Sequence, residues 1–231
     1  MTTGTTDRTE VFDTFAGVLK ALANGRRLEL IEVLAQGEHT VDTLATMTDS
    51  AVTTTSNHLQ ALKRAGLVAT RREGTSIHYR LAGDDVVALF VAAKQVAVRR
   101  SPALATALTD YLGDTAEDAG EDAASSAELG ADTLVIDVRP AEEYAAGHLP
   151  GAVSIPFPEF ADRIDEVPAD RPVALYCRGE LCRRAREAAS LLRSNGVDAL
   201  AMESGVVEWR AAGNWPVSLS GHGATGATST D

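Results

Sequence analysis

The chain has 231 residues, which is long for one domain and sufficient for two. Its net charge of −12 is unevenly divided: residues 1–112 carry 12 basic and 12 acidic side chains, whereas residues 113–231 carry 9 basic and 21 acidic ones. Only the N-terminal half is therefore expected to approach a polyanion. The chain starts without the basic and apolar regions of a signal peptide, and no apolar run approaches a membrane span, so we expect a cytoplasmic protein with reduced thiols.

The N-terminal half is predicted to be a series of helices interrupted by one hairpin, because its apolar residues recur at helical spacing. The first four helices are expected to begin near Glu10, after Gly25, at the capping residue Thr40 and after Ser50, and the last of them to end at Gly66. Strand-like runs at 67–72 and 76–81 flank a Glu-Gly-Thr turn and predict a β-hairpin. A further helix is predicted at about 84–100, and Pro102 separates it from a helical piece that ends near Leu112.

A helix-turn-helix followed by a hairpin is typical of winged DNA-binding domains, whose second helix, about 51–65 here, enters the major groove. The residues predicted to form its buried face are Val52, Thr55, Leu59 and Leu62. The predicted DNA-binding residues are Thr53, Thr54, Ser56, Asn57, His58 and Lys63 on the helix, with Arg71 and Arg72 in the hairpin and Arg80 beside them. Structural roles stay open for some of these: capping for the two threonines, helix packing for the histidine, and a solvated strand face for the arginine pair.

The C-terminal half has a different pattern. Residues 113–130 are rich in Gly, Ala, Ser, Asp and Glu, which predicts an acidic linker. After it, short strand signals alternate with helical runs, which indicates an α/β sheet. The predicted strands cover residues 133–137, 172–176 and 198–201. We therefore divide the chain into a helical and hairpin domain at 1–112, the linker, an α/β domain at 131–219 and a disordered tail at 220–231.

Both cysteines of the chain, Cys177 and Cys182, lie in one loop between a predicted strand and a predicted helix that begins at Arg183. In a reducing compartment such a pair is reactive rather than structural. Amide hydrogens at the start of the helix and nearby arginines favour ionisation of the Cys177 thiol, which makes it a candidate nucleophile. The amides of residues 178–183 are expected to cradle the sulfur anion, with Gly179 allowing the loop to curl around it.

Other residues near this loop receive supporting roles. The predicted catalytic set is Cys177, Arg178, Gly179 and Arg183, with Cys182 as a possible resolving thiol. Arg178 and Arg183 are expected to steer an anionic donor, whereas Glu180 would oppose an anion and is expected to face solvent. Asp137 and Arg139 are predicted to form a buried polar pair at the end of a strand, rather than to act in catalysis.

Three ordered segments of the first half resemble the ArsR-type winged-helix family over about residues 8–100. They are LKALANGRRLELIEVL at 19–34, TTSNHLQALKRAGLV at 54–68 and RREGTSIHYRL at 71–81. The resemblance implies a homodimer, packed through the first helix and the helix after the wing, that binds an imperfect palindrome in double-stranded DNA. Metal-sensing members carry a Cys-x-Cys element or His/Asp clusters, but here 38–42 reads EHTVD and 84–112 contains no His or Cys. We therefore expect no metal site in this half, and no cofactor.

The second half resembles the rhodanese family over about residues 125–219. The segments that carry the resemblance are DVRPAEEYAAGHLPGAVSIP at 137–156, PVALYCRG at 172–179 and ESGVVEWRAAG at 203–213. The expected fold is thus an α+β winged helix-turn-helix domain followed by an α/β rhodanese-like domain with a central parallel sheet. The resemblance implies that Cys177 accepts a sulfane sulfur from thiosulfate, polysulfide or a persulfide, and passes it to a thiol or to cyanide.

Two alternatives stay open at the loop. Its Cys-x5-Arg spacing is also that of phosphatases and arsenate reductases, in which an arginine such as Arg183 would clamp a tetrahedral oxyanion. Cys182 either attacks a persulfide on Cys177 or is a small buried residue at a helix start. Our leading hypothesis is a homodimeric transcriptional regulator whose DNA affinity depends on the sulfur or redox state of the two cysteines. The alternative is primarily a sulfurtransferase enzyme.

Overall fold

The computed structural model describes residues 7–112 and 129–213. Contacts between Cα atoms divide the chain into two compact units, Met1–Ala93 and Lys94–Asp231. The boundary between the units falls inside a helix, whereas the compositional boundary proposed from the sequence lies after residue 112. Most of the predicted linker (113–128), residues 214–219 of the predicted α/β domain and the whole predicted tail lie outside the described residues.

The first unit combines five helical segments with a small antiparallel sheet. Its helices are α1 (Arg8–Leu22), α2 (Gly25–Leu34), α3 (Val41–Met47), α4 (Val52–Arg64) and the first part of α5 (Asp84–Arg100). Its strands are β1 (His39–Thr40), β2 (Val68–Glu73) and β3 (Ser76–Leu81), in the order β1-β3-β2. The predicted helices and hairpin are thus confirmed, but β1 was not predicted. It pairs His39 with Tyr79, and His39 is half-buried there.

Local sequence signals explain where these elements begin and end. The Asn24 side chain accepts a hydrogen bond from Arg27 N at 3.2 Å and caps α2, and Thr40 caps α3 in the same way. Gly66 (φ 75°) follows α4, and Gly74 (φ 58°) makes the turn between β2 and β3, both in the left-handed region that glycine tolerates. Turn chemistry therefore fixes the hairpin next to α4.

The core of the first unit is built from α2, α3, α4 and the first part of α5. Its most buried aliphatic residues are Leu30, Ile31, Leu34, Leu44, Leu59, Leu62 and Val87. Helix α1 buries only Leu22 and leaves Val11, Phe12 and Phe15 more than half exposed. The prediction that Val52 belongs to the buried face of its helix is wrong. Val52 is 44% exposed, because it is the first residue of α4 and precedes the turn that packs on the core.

The second unit contains a four-stranded parallel sheet with the order β5-β4-β6-β7. Its strands are β4 (Leu134–Asp137), β5 (Val153–Ser154), β6 (Val173–Tyr176) and β7 (Ala199–Ala201). Its helices are the rest of α5, then α6 (Pro102–Leu112), α7 (Ala141–Ala146), α8 (Arg183–Ser194) and α9 (Val206–Ala211). The central strand β6 is buried along its whole length, and Ala188 and Leu192 of α8 pack in the core beside Leu175. This confirms the predicted parallel α/β sheet. Among the described helices, none has the length and apolar content to cross a membrane.

Candidate functional site

The cysteine loop lies at the carboxyl end of β6, the buried strand at the centre of the parallel sheet. Cys177 directly follows this strand, and α8 begins one residue after Cys182. In open parallel sheets this edge is where loops from neighbouring strands meet and where ligands bind. The fold therefore brings the predicted nucleophile to a position suited to chemistry.

The structure joins Cys177 and Cys182 in a disulfide, with their Cα atoms 6.2 Å apart. The two sulfur atoms are therefore in contact. Attack of Cys182 on a persulfide at Cys177, one of the two alternatives given for Cys182, requires this proximity. Cys177 is 5% exposed, whereas Cys182 is half-buried at the N-terminus of α8. The loop is thus described in its oxidised form, in which the Cys177 sulfur is largely shielded from solvent.

The start of α9 packs against the cysteine loop. Val207 N donates to the carbonyl oxygen of Arg178 at 2.9 Å, so a first-turn amide of the helix holds the loop. Gly205 approaches the loop so closely that a Cβ there would lie 2.5 Å from both Cys177 O and Gly179 N. Within the loop, Cys182 N donates to Gly179 O at 2.9 Å. That amide was predicted to belong to the sulfur cradle, but in this oxidised form it bonds to the loop itself.

Each charged side chain of the loop has a partner of opposite charge. Arg178 makes a forked pair with Glu143, a carboxylate that is almost fully buried on α7. Arg183 lies 3.2 Å from Glu187 and its guanidinium stacks over the ring of Tyr111. These pairings balance the charges that the sequence assigned to anion steering.

The remaining acidic side chain of the loop, Glu180, was expected to face solvent. It is 40% exposed, and its carboxylate lies 2.8 Å from the ammonium nitrogen of Lys94. The charge of Glu180 is thus offset by a cation, and not by water alone.

The supporting pair lies fully buried at the end of β4. Arg139 Nε donates to Asp137 Oδ1 at 3.0 Å, and a second nitrogen of its guanidinium donates to Gly147 O at 2.7 Å. Burial raises the pKa of the nearby Tyr176 phenol, and the Asp137 charge adds to this rise. His148 stacks on Tyr144 and hydrogen-bonds its carbonyl oxygen, so this segment forms one rigid polar cluster behind the loop.

The candidate DNA-binding residues lie on α4 and on the hairpin. Thr53, Thr54, Asn57 and Lys63 are exposed, whereas Ser56 and His58 are half-buried. Lys63 Nζ donates to Thr70 Oγ1 at 2.9 Å, which connects α4 to β2. The polar face of α4 is therefore available for base and phosphate contacts, as a recognition helix requires.

Two of the hairpin arginines are already engaged with carboxylates. Arg71 lies 2.9 Å from both Glu38 and Glu73, and these hydrogen bonds raise the pKa of its guanidinium above the ordinary value. Arg80 lies 3.7 Å from Glu38, and Arg72 donates to Gly74 O at 3.1 Å. DNA phosphates must therefore compete with carboxylates for part of this basic surface.

Four residues next to the cysteine loop were not identified from the sequence as part of the site: Lys94, Glu143, Gly205 and Glu208. For one pair a signal was present. Glu208 follows Gly205 by three residues, which is the spacing at which a helix-start carboxylate bonds back to the residue before the helix. Gly205 N does donate to Glu208 Oε2 at 2.9 Å. The other two residues are distant in sequence from the loop, and no local pattern connects them to it.

The sequence matches two family models and several known proteins. Residues 24–70 match the model described as bacterial regulatory protein, arsR family, and residues 121–212 match the rhodanese-like domain. The HTH-type transcriptional regulator Rv0324 of Mycobacterium tuberculosis is 45% identical over 211 residues, which cover 91% of this chain and 93% of that protein. A sulfurtransferase of Allochromatium vinosum is 33% identical over 79 residues, 34% of this chain and 72% of that one.

One solved structure among those that match is the homodimeric winged helix-turn-helix DNA-binding domain (fragment 1–100) of Mb0332 from Mycobacterium bovis. It is 48% identical, covers 44% of this chain and 94% of its own, and has a TM-score of 0.40.

Proposed function

Because the chain belongs to the ArsR family of bacterial regulatory proteins and carries a rhodanese-like domain, we propose that its affinity for DNA depends on the sulfur state of Cys177 and Cys182. The protein is a DNA-binding regulator, and the proposal concerns the signal that it detects. Polysulfide, persulfide or thiosulfate is the proposed sulfur donor, and the rhodanese-like domain is the proposed sensor.

The observation that carries this proposal is the bond between the only two cysteines of the sequence, across a loop that begins at a buried strand and ends at a helix. Two cysteines that can form a disulfide can also be converted between the thiol, persulfide and disulfide states. In the reduced form, the Cys177 thiolate attacks a polysulfide, takes its terminal sulfur and releases a polysulfide that is one sulfur shorter. Cys177 then carries the persulfide.

The persulfide is resolved by the second cysteine. The Cys182 thiolate attacks the Cys177 sulfur, the disulfide forms, and the outer sulfur leaves as hydrosulfide. The polysulfide is the oxidant, and the two thiols are oxidised by two electrons in total. Hydrosulfide reverses the last step, because it attacks the disulfide and restores the Cys177 persulfide. Two molecules of a cellular thiol instead reduce the disulfide to two thiols and are themselves joined in a disulfide. Three sulfur states of one loop thus arise without any metal or further cofactor.

The DNA-binding part of the proposal assigns residues 1–112 to a domain that binds a palindromic operator as a homodimer. The apolar stripe of α1 supports the dimer, since Phe12 and Phe15 are exposed in the single chain and bury little there. Residues 113–130 are proposed as a linker and residues 131–219 as the sulfur-accepting domain.

Sulfurtransferase activity is a second candidate function, favoured by the similarity to the Allochromatium vinosum sulfurtransferase. In that case the Cys177 persulfide would pass its outer sulfur to a thiol or to cyanide. The phosphatase or arsenate reductase alternative gains no comparable support, because the Arg183 guanidinium pairs with Glu187 instead of projecting a free charge.

The test uses the full-length protein and an operator selected from a random DNA library by the reduced form. Fluorescence anisotropy then measures its dissociation constant with and without sodium tetrasulfide, and mass spectrometry follows the peptide that contains both cysteines. We expect a shift of about fivefold or more in the wild type, and none in Cys177→Ser. Cys182→Ser is the matched control that accepts sulfur but forms no disulfide. An undiminished response of Cys177→Ser to tetrasulfide would refute the proposal.

A further inference from the structure

Lys94 connects helix α5 to the cysteine loop. Its ammonium nitrogen lies 2.8 Å from Glu180 Oε1 in the loop and 2.7 Å from Glu208 Oε1 at the start of α9. The Lys94 side chain is only 8% exposed and the Glu208 side chain 14%, so this ion pair is largely removed from solvent, whereas the Glu180 side chain is 40% exposed. Ion pairs in such surroundings are screened less and hold their geometry more strictly than surface pairs.

The protonation of Lys94 is secured by its partners. Burial on its own would lower the pKa of Lys94, but Glu208 and Glu180 more than compensate, and the pKa lies above its ordinary value. The lysine is therefore a permanent cation under physiological conditions. One positive charge is shared between two carboxylates, which leaves the cluster with a net negative charge beside the sulfur loop.

Glu208 brings this cluster into direct contact with the backbone of the loop. Its Oε2 accepts a hydrogen bond from Gly205 N at 2.9 Å. A Cβ on Gly179 would lie 3.0 Å from the same Oε2 atom and 3.2 Å from Oε1, so the carboxylate packs against the loop where no side chain intervenes. A change in loop conformation therefore alters the contacts of the Glu208 carboxylate, as well as those of Glu180.

The disulfide closes a ring of backbone that includes Glu180. When the Cys177–Cys182 bond opens, the two sulfurs must separate to at least van der Waals distance, and a thiolate or persulfide adds a negative charge to the loop. Both effects act on Glu180: the first moves its backbone and the second repels its carboxylate. The relative strength of the Lys94–Glu180 and Lys94–Glu208 ion pairs must therefore differ between the sulfur states.

Helix α5 extends this effect beyond the loop. It runs without interruption from Asp84 to Arg100, and the boundary between the two contact units falls between Ala93 and Lys94. Its earlier turns bury Val86, Val87, Phe90 and Val91. Lys94 therefore lies on a continuous helix whose first half belongs to the unit that contains α4.

We propose that Lys94 is the residue that transmits the sulfur state of the cysteine loop to DNA binding, by exchanging its charge between Glu180 and Glu208. This inference rests on the proposed function, since it concerns how the same sulfur loop regulates DNA affinity. Lys94 is a positioning residue, because it touches neither the sulfurs nor DNA.

The experiment compares Lys94→Met with the wild type, with tetrasulfide as the sulfur probe and the selected operator as the DNA probe. We expect Cys177 to be modified to the same extent in both proteins, as measured by mass spectrometry. The tetrasulfide-dependent change in the operator dissociation constant should fall from about fivefold or more to less than about twofold in the variant. Lys94→Arg, which keeps the charge, should restore most of the change. Arg100→Met, which removes a charge from an exposed position of the same helix, should respond like the wild type.

A second variant guards against the case in which Lys94→Met does not fold. Glu180→Gln removes the loop carboxylate at a half-exposed position and should also uncouple sulfur modification from DNA affinity. If Lys94→Met and Glu180→Gln both respond like the wild type, the coupling role is wrong while the sensor proposal stands. A loss of Cys177 modification in these variants would also overturn it, because their effect would then lie in the sulfur chemistry. If the wild type itself shows no response, the proposed function fails.

Discussion

Replacing Gly205 with alanine should displace the cysteine loop from the helix that supports it. A Cβ atom at this position would lie 2.5 Å from Cys177 O and Gly179 N, and 2.7 Å from the carbonyl carbon of Arg178. Ordinary contact begins at 3.4 Å, so the loop backbone would have to retreat by about 0.9 Å. The φ and ψ angles of Gly205, −131° and −163°, lie in the extended region, so the effect is steric rather than conformational.

The magnitude follows from two contributions. Overpacking against atoms that cannot rotate away costs about 1–3 kcal/mol. The retreat also breaks the hydrogen bond from Val207 N to Arg178 O, which adds about 1 kcal/mol. We therefore expect Gly205→Ala to lower the free energy of unfolding of the second unit by about 2–4 kcal/mol. Both tryptophans, Trp209 and Trp215, lie in the C-terminal half, so their fluorescence during a urea titration reports on this half of the chain.

The matched control is Gly130→Ala in the same unit. A Cβ on Gly130 would meet only Thr133 Oγ1 at 3.5 Å, which is an ordinary contact. This variant should stay within about 0.5 kcal/mol of the wild type. If Gly205→Ala unfolds at the same urea concentration as Gly130→Ala, then α9 does not pack against the loop as described, and the support that we assign to the loop is absent.

Two further predictions concern the tyrosine behind the loop and the first helix. Burial raises the pKa of the Tyr176 phenol above its ordinary value of 10.0. The stability that the protonated phenol contributes is therefore complete below the pKa of the unfolded chain, and it is lost as the pH rises from there towards the folded pKa. Tyr176→Phe removes the hydrogen bond from Leu149 N, so it should lower the free energy of unfolding by about 0.5–1.5 kcal/mol at neutral pH. Because phenylalanine does not ionise, the same variant should lose less stability than the wild type when the pH is raised. Urea titrations near neutrality and above the tyrosine pKa test this, and an unchanged alkaline slope contradicts it. Phe15→Glu should weaken the proposed homodimer at least about 30-fold in sedimentation equilibrium, since apolar anchors contribute about 2 kcal/mol or more. Thr14→Glu adds the same charge to the same helix and should dimerise like the wild type; equal behaviour of the two variants argues against an α1 interface.

Much of the fold was determined by local sequence signals. Helical spacing of apolar residues located α1 to α6, the capping residue Thr40 marked the start of α3, and Gly74 marked the hairpin turn. These signals can be read because helix periodicity, caps and tight turns depend on residues a few positions apart. The short strands β1 and β5 were missed, since two residues carry no periodicity and such strands form only when a longer neighbour pairs with them.

The cysteine loop was also evident from the sequence, because both cysteines lie between a strand signal and a helix signal. Only the tertiary structure decided what surrounds it. Arg178 pairs with Glu143, 35 positions away, and Lys94 reaches Glu208, 114 positions away. Such contacts depend on the order of strands in the sheet and on the rotation of each helix, neither of which local periodicity specifies. The sequence by itself thus determined where the cysteine pair lies along the chain, and it predicted the residues for sulfur chemistry and for DNA binding. The tertiary structure decided which charges are neutralised beside the sulfurs, because that depends on distances between segments far apart in the chain.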